Sequence, residues 1–373
     1  MDLHYTGTFR FFVEGKDTWS SDRDLPGRRS PIHVDEWDLQ NAFVDINVSV
    51  GDVGTFTIRP GRQEMELGRQ RLISSLDWIN VRRTFDGING ILTTENWKFT
   101  GFYLQFVPVD RHKFNDADKD QQFYGIYAEG KCPKAKDMGL KLTTDLYFLG
   151  LDRSAKVVPG GGYNGTSGGE ERWTVGARVG GQIIDTPIDF DLEGAVQFGR
   201  VGSQDINAFF VSTNVGYKVD MYAKPRFYLG FDYASGDNRA GGDVQAFSQL
   251  YPLGHAYLGF IDVIGRQNNV SFSTGFLMKP ADKVVFRIDG FYFMCASNDD
   301  AVYNPGNAVV RANGATSGSQ DVGGEVDFTV KYIFNRHFVG AVGYSHFFPG
   351  DFIKETGTGK DIDFYYIMFA YTF

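Results

Sequence analysis

Asp363-Phe-Tyr-Tyr-Ile-Met-Phe-Ala-Tyr-Thr-Phe373 sets Tyr365, Ile367, Phe369, Tyr371 and Phe373 on one side of an extended chain. Successive side chains of a strand point to opposite faces, so that side is an unbroken apolar and aromatic stripe. Such a stripe suits a closed barrel in lipid, where strands alternate apolar-out with mixed-in and rings favour the membrane-water interface. The pattern recurs upstream. Leu140, Leu142, Leu146 and Phe148 oppose Lys141, Thr143, Asp145 and Tyr147; Leu192, Val196 and Phe198 oppose Asp189, Asp191, Glu193 and Gln197. Phe227, Leu229, Phe231 and Tyr233 oppose Arg226, Tyr228 and Asp232 in the same way.

A soluble β-sandwich also alternates, with its apolar face buried. The connections separate the two architectures. Sixteen strands are predicted, near 3-14, 36-50, 54-66, 82-93, 97-107, 121-131, 138-150, 172-183, 187-200, 206-219, 225-236, 268-279, 283-296, 322-335, 337-348 and 361-373. Short turns such as Gly51 to Gly54 and Asp185-Thr-Pro187 alternate with long polar, Gly-rich segments at 15-35, 67-81, 108-120, 151-171, 237-267, 297-321 and 349-360. Only the link at 201-205 is short where a long one is due. Short turns on one rim and long loops on the other define an all-β, transmembrane, antiparallel up-and-down barrel, with short periplasmic turns and long extracellular loops. Eighteen strands is the alternative, because Ala256 to Ile264 in the longest loop could hold a further strand pair. Mixed phase across 54-107, where Phe56 and Ile58 are even but Met65 and Leu67 odd, suggests a β-bulge. Either strand count implies a water-filled lumen.

Composition agrees. A length of 373 residues would suit two soluble domains, but a barrel is one sheet whose size follows strand number, so a single domain over 1-373 is expected. No stretch approaches the ~18 apolar residues of a spanning helix. The opening Leu3 to Val13 already alternates and lacks the charged-then-apolar start of a signal peptide, which reads as a mature or trimmed form. Cys132 and Cys295 are too few for a disulfide framework and read as unpaired thiols. The net charge of −9, with no basic stripe, argues against a nucleic-acid partner. Outer-membrane lipid is the expected surround.

Inward phase collects charge of both signs. Arg10, Arg59, Arg172, Arg178, Arg226, Arg287, Lys141 and Lys331 face the lumen with Glu14, Asp45, Asp86, Asp145, Asp189, Asp191, Glu193, Asp232, Asp289, Glu325 and Asp327. Opposite charges on neighbouring strands brace a wall. Arginines at a narrow, low-dielectric constriction also select anions, and those held rigid by an inward carboxylate filter better. The segment Arg59 to Arg71, continuing through Asp77-Trp78 to Arg82-Arg-Thr-Phe-Asp86, is densest, with six arginines, four acids and a Trp. Arg forks suit carboxylates, and Trp offers a face to a sugar ring.

Other chemistries find little support. His255, near Ser248 and Asp262, is the one candidate base of a hydrolase, but it sits in an irregular loop without a nucleophile elbow and reads as buried. No catalytic residue is assigned. Gly160-Gly-Gly162 and Gly168-Gly169 flank no P-loop lysine and punctuate loops. Asp116 to Asp120 lacks the Gly and distal Glu of a calcium loop and reads as solvated surface. No metal and no cofactor is expected.

Gly61-Arg-Gln-Glu64, Leu72-Ile73, Leu76-Asp-Trp78, Arg83-Thr-Phe-Asp-Gly87, Leu250-Tyr-Pro-Leu-Gly-His-Ala-Tyr-Leu-Gly259, Asp262 and Gly265-Arg-Gln-Asn268 stand together in the sequence. In these blocks the chain resembles the alginate-export family of outer-membrane channels over most of its length. The resemblance implies an outer-membrane barrel passing an anionic uronic-acid polysaccharide through an arginine-rich constriction gated by loops or turns. Periplasmic export components would be further partners. Arg59, Arg62 and Arg83 lie in or beside the matching blocks and lead the site assignment. Arg10, Arg172, Arg178, Arg226, Arg287, Asp86, Asp189, Asp191 and Glu193 complete it on inward phase. A general or small-anion-selective porin is the alternative function.

Overall fold

The computed structural model describes residues 1–21, 32–156, 164–312 and 317–372. Seventeen strands form one antiparallel wall. They begin with β1 (Asp2–Tyr5), β2 (Phe9–Thr18), β3 (Asp35–Ser49), β4 (Thr55–Gln63), β5 (Phe85–Thr93), β6 (Trp97–Phe106), β7 (Gln121–Lys131) and β8 (Leu140–Arg153). They continue through β9 (Glu170–Ile183), β10 (Ile188–Val201), β11 (Gln204–Lys218), β12 (Arg226–Ala234), β13 (Asn269–Ala281) and β14 (Val284–Cys295). β17 (Asp321–Ile333), β18 (Phe338–Pro349) and β19 (Ile362–Tyr371) complete the wall. A small hairpin, β15 (Val302–Tyr303) and β16 (Val309–Arg311), sits in the connection from β14 to β17. Each wall strand pairs with its successor in chain order.

All sixteen predicted spans are strands, and the first is two. Thr6 and Gly7 adopt left-handed φ of 55° and 72°, reversing the chain so that Tyr5 pairs with Phe9. Alternation cannot register this reversal, because Leu3 and Tyr5 stay on the same outward side as Phe9 and Phe11, all four exposed. The short link after β10 is a two-residue turn in which Gly202 takes φ 58°. The terminal Phe373 and Gly160 to Gly162 lie outside the described residues. Both thiols, Cys132 and Cys295, are free.

The outer skin is apolar. Leu229 is 69% exposed and Ile367 72%, values that only a lipid environment makes favourable for such side chains in a continuous band. Among the described residues no helix is long and apolar enough to cross a membrane; the strands are the spanning elements.

The interior differs from the expected open lumen. Two long connections, 64–84 and 235–268, fold inward and pair with each other: the Ser74 N–H donates to the Tyr251 carbonyl at 2.9 Å, and the Tyr251 N–H to that of Leu72 at 2.9 Å. Their apolar side chains need partners, and the wall supplies them. Met65, Leu67, Ile73, Phe247 and Tyr251 pack on Phe85, Phe123, Leu149, Leu151 and Phe210. A second cluster seats Leu258 and Ile264 against Phe291, Phe293 and Phe347, with Phe352 and Ile353 of the short helix α2 (Asp351–Glu355). The long-loop half of the barrel is therefore filled, and the wet space lies toward the short turns.

This also corrects the predicted bulge. β4 keeps constant register with β3 and β5, and the phase changes because the chain leaves the wall after Gln63, carrying Met65 and Leu67 into the interior. The stretch 256–264 holds one helical turn, α1 (His255–Leu258), instead of a strand pair.

Candidate functional site

The tip of the 64–84 segment reaches the inner wall at a glycine. Gly68, at φ 56°, lies so near β7 and β8 that a Cβ would fall 2.1 Å from the Tyr127 hydroxyl and 2.7 Å from Asp145. That contact fixes Arg69 and Arg71 above a cavity of about 630 Å³. Arg71 is buried, and its Nη1 donates to Asp191 and to Glu193, each at 2.8 Å. Tyr257 of α1 lies against it, ring centroid 4.6 Å from the guanidinium carbon, with Arg266 at 5.7 Å from the same ring. Burial opposes the Arg71 charge, yet Tyr257, Glu193 and Asp191 together raise its pKa above the ordinary value. The Tyr257 hydroxyl donates to the Arg69 carbonyl, tying the two inward segments at this point.

Below this tie, toward the short turns, the wall of β8 to β14 carries a descending series of cations. The cavity is lined by Arg69, Arg71, Arg178, Lys218, Arg226 and Arg287 against Asp189, Asp191 and Asp232. Arg178 donates to Asp191 at 2.9 and 2.5 Å and to Asp145 at 3.1 Å. Arg226 donates to Asp189 at 2.6 Å and to Asn214 at 2.8 Å, and Lys218 meets the same Asp189 at 3.1 Å. Arg287 pairs with Asp289. Arg69 is exposed and its side chain makes no hydrogen bond or ion pair among the described residues. Glycines keep these groups flat: a Cβ at Gly216 would lie 2.2 Å from the Arg226 guanidinium, and one at Gly275 2.0 Å from the Tyr228 ring. Donor forks lying along a wall, braced by their own carboxylates, can hold a passing anion without closing the bore.

Of the predicted site residues, Arg178, Arg226, Arg287, Asp189 and Asp191 line this cavity, and Glu193 stands behind it, bonded to Arg71 and to the Tyr147 hydroxyl. Arg10 and Arg59 meet elsewhere on the inner wall. They share Asp45, with Arg59 at 2.6 and 2.9 Å and Arg10 at 3.5 Å, above the Phe43 ring. Four assignments need correction. Arg62 and Asp86 pair with each other at 2.7 and 2.9 Å on the face opposite Gln63 and Phe85, because neighbours on a strand point opposite ways and Gln63 and Phe85 are buried in the interior. Arg83 is a staple between the inward segments, donating to the carbonyls of Ser74 at 2.8 Å and Tyr251 at 2.6 Å. Arg172 is buried behind the 235–268 segment, held by Glu170 at 2.6 Å and Gln197 at 2.7 Å.

Arg69, Arg71, Tyr257 and Arg266 were not singled out by inward phase, which exists only on strands, and Lys218, at the very end of β11 in phase with Ser212 and Asn214, was passed over. Four of them were nonetheless legible as neighbours of the motif blocks: Arg69 and Arg71 close the arginine-dense segment, Tyr257 sits in His-Ala-Tyr-Leu-Gly, and Arg266 in Gly-Arg-Gln-Asn.

Across the lumen the same segment docks on carboxylates. The N–H groups of Phe260 and Ile261 donate to Asp327 at 3.2 Å and Glu325 at 2.9 Å. Gly259 takes φ 94°, and a Cβ there would meet the Glu325 carboxyl at 2.4 Å. His255 is buried and lies against Trp78, ring centroids 4.8 Å apart and tilted by 44°, with its Nδ1 3.8 Å from Asp262. Burial, with Arg287 nearby, lowers the His255 pKa to about 4. Burial, with Asp327 adding to it, raises that of Asp262 to about 7. Both side chains are therefore neutral between those values.

The family described as alginate export matches residues 1–363. Among solved structures, Pseudomonas aeruginosa OccK3 (OpdO) superposes with a TM-score of 0.60 at 12% identity, covering 98% of this chain and 85% of that one. The outer membrane protein OprD from Pseudomonas aeruginosa gives 0.59 at 12% identity, covering 98% and 84%. Pseudomonas aeruginosa OccK2 (OpdF) in complex with glucuronate gives 0.50 at 12% identity, covering 83% and 76%. At these identities the likeness is one of fold. No curated protein sequence matches.

Proposed function

The chain belongs to the alginate-export family and is a bacterial outer-membrane β-barrel channel; we propose that it passes an anionic uronic-acid polysaccharide such as alginate by passive, charge-selective movement. The observation that carries this reading is the cavity beneath the inward segments, with six cationic side chains against three carboxylates. A uronate presents a carboxylate at each sugar, and guanidinium forks match that group in geometry and charge. Low-dielectric walls focus the field of the cations on the lining, so anions concentrate in the bore. Each of these arginines except Arg69 also has a protein carboxylate to return to, so a substrate carboxylate exchanges for an internal partner and is released in turn. Conduction needs that balance, since a site that binds too firmly does not pass its ligand. Arg69, free of any such partner among the described residues, takes the role of first contact at the constriction. Polymer synthesis or a concentration gradient supplies direction.

A small-anion-selective porin is the second reading, favoured by the packing of the long-loop half, which leaves less room for a polymer than for a single sugar acid. That OccK2 has been solved with glucuronate fits either reading. Planar-bilayer recordings separate them. A polysaccharide channel is blocked by oligomannuronate with a residence time that lengthens with the number of sugars, and prefers anions in simple salt. Residence independent of chain length supports the porin. Cation preference, unchanged when Arg69, Arg178, Arg226 and Arg287 are replaced by Gln, would falsify both.

A further inference from the structure

Three aromatic rings from three separate segments meet in the lumen beside the cavity. Trp78 of the 64–84 segment, Phe260 of the 235–268 segment and Tyr366 of β19 form a right-angled corner. Phe260 and Tyr366 lie nearly parallel, 6.0 Å apart at 11°. Trp78 stands across both, at 5.4 Å and 84° from Phe260 and 5.0 Å and 85° from Tyr366. Tyr366 lies flat on the wall over Gly343, where a Cβ would come within 2.1 Å of its ring, and its hydroxyl meets Thr329 at 2.9 Å.

None of the three belongs to either buried apolar cluster, and each stays partly exposed. A corner built only to fill space would be expected to join one of those cores. The Trp78 indole N–H makes no hydrogen bond among the described residues, leaving a donor available beside the rings. Arg287 links the corner to the cavity, with its guanidinium carbon 5.9 Å from the Phe260 centroid and its side chain in the cavity lining.

We propose that Trp78, Phe260 and Tyr366 form a pyranose subsite, in which the apolar C–H face of a sugar ring rests on the aromatic corner while Arg287 takes the ring's carboxylate. The subsite rests on the uronate reading of the channel and adds to it a neutral recognition element that charge alone does not supply. A flat aromatic surface with a polar handle binds a ring that is apolar on its faces and hydroxylated at its rim. The corner thus grips the sugar and the basic wall grips the acid, which makes recognition of a uronate different from recognition of chloride or acetate.

The test compares block of single-channel current by oligomannuronate and by a neutral manno-oligosaccharide of equal length, in the wild type and in Trp78→Ala, Trp78→Phe and Tyr366→Leu. The expected result is a residence time shortened about 10-fold for both sugars in Trp78→Ala and Tyr366→Leu, with most of it kept in Trp78→Phe. Unliganded conductance and thermal unfolding, measured alongside, identify any variant that has lost its fold, and Trp78→Phe and Tyr366→Leu then carry the comparison. Residence times unchanged in the folded Trp78→Ala and Tyr366→Leu proteins overturn the subsite while leaving the uronate channel standing. Should oligomannuronate fail to block the wild type, the uronate reading falls. The corner then survives only if the neutral sugar blocks in a Trp78-dependent way, and block by neither sugar overturns it too.

Discussion

Two stretches of inner wall, β2 to β4 and β8 to β14, carry the same kinds of residue and do different things with them. In β2 to β4, Arg10 and Arg59 converge on Asp45 above Phe43, and Arg10 also holds Asp2. That charge is locally closed, and its work is to hold neighbouring strands in register. In β8 to β14 the cations are paired as well, Arg226 and Lys218 with Asp189, Arg178 and Arg71 with Asp191, and Arg287 with Asp289, but they stand on the lining of the cavity beneath the inward segments. The lesson is that pairing alone does not make an inward arginine a filter; it must also line the space left open beneath the inward segments.

The largest expected effect breaks this contrast outright. Replacing Arg178, Arg226 and Arg287 by Gln should abolish anion preference and weaken oligouronate block by at least about 10- to 100-fold, since the loss of even one charge-assisted hydrogen bond of about 1.5–3 kcal/mol has that effect. The matching triple replacement of Arg10, Arg59 and, on the other face of β4, Arg62 should leave reversal potentials in a salt gradient where they were. If both triples shift selectivity alike, the two walls are not functionally distinct.

Next comes the segment that spans between the basic wall and the carboxylates opposite. Gly259→Val adds a branched side chain at a left-handed φ and against the Glu325 carboxyl. The 255–262 segment should undock, and unliganded conductance should rise several-fold with noisier current, while the strand content seen by circular dichroism stays the same.

A smaller effect sharpens the reading of β2 to β4 as structural. Asp45→Asn leaves two arginines facing each other, and because both are about a quarter exposed the cost is expected at about 1–3 kcal/mol in denaturant unfolding. Ion selectivity should not move.

The smallest effect is a pH response that the wild type hides. Asp262 has its pKa raised by docking, so docking is favoured at low pH and weakens as pH climbs from its ordinary value near ~4 to about 7. His255 has its pKa lowered, so docking weakens as pH falls from about 6.5 to about 4. Over the shared range the two trends oppose. Asp262→Asn should therefore make channel noise increase on acidification, and His255→Gln should make it increase on raising the pH toward 7. The two variants responding in the same direction would rule this balance out.

Much of this was legible in the residues. The sixteen predicted spans recur because a two-sided wall imposes a period of two, and exposed Leu229 and Ile367 show which side meets lipid. The chain reversal at Thr6-Gly7 escaped that period because both arms keep the same outward phase. Inward phase found Arg178, Arg226 and Arg287 at the cavity, and equally picked Arg172, whose burial depends on a segment some seventy residues further along the chain.

What the sequence alone determined is the sheet: alternation sorts the wall residues onto two faces, since strand geometry leaves only two choices, although it set Asp86 of β5 on the wrong one. What only the tertiary structure decided is where the inward segments 64–84 and 235–268 come to rest. Irregular backbone has no period from which a direction can be read, and its position follows from contacts among distant residues, such as Ser74 with Tyr251 and Ile261 with Glu325, that form only once the wall stands around them.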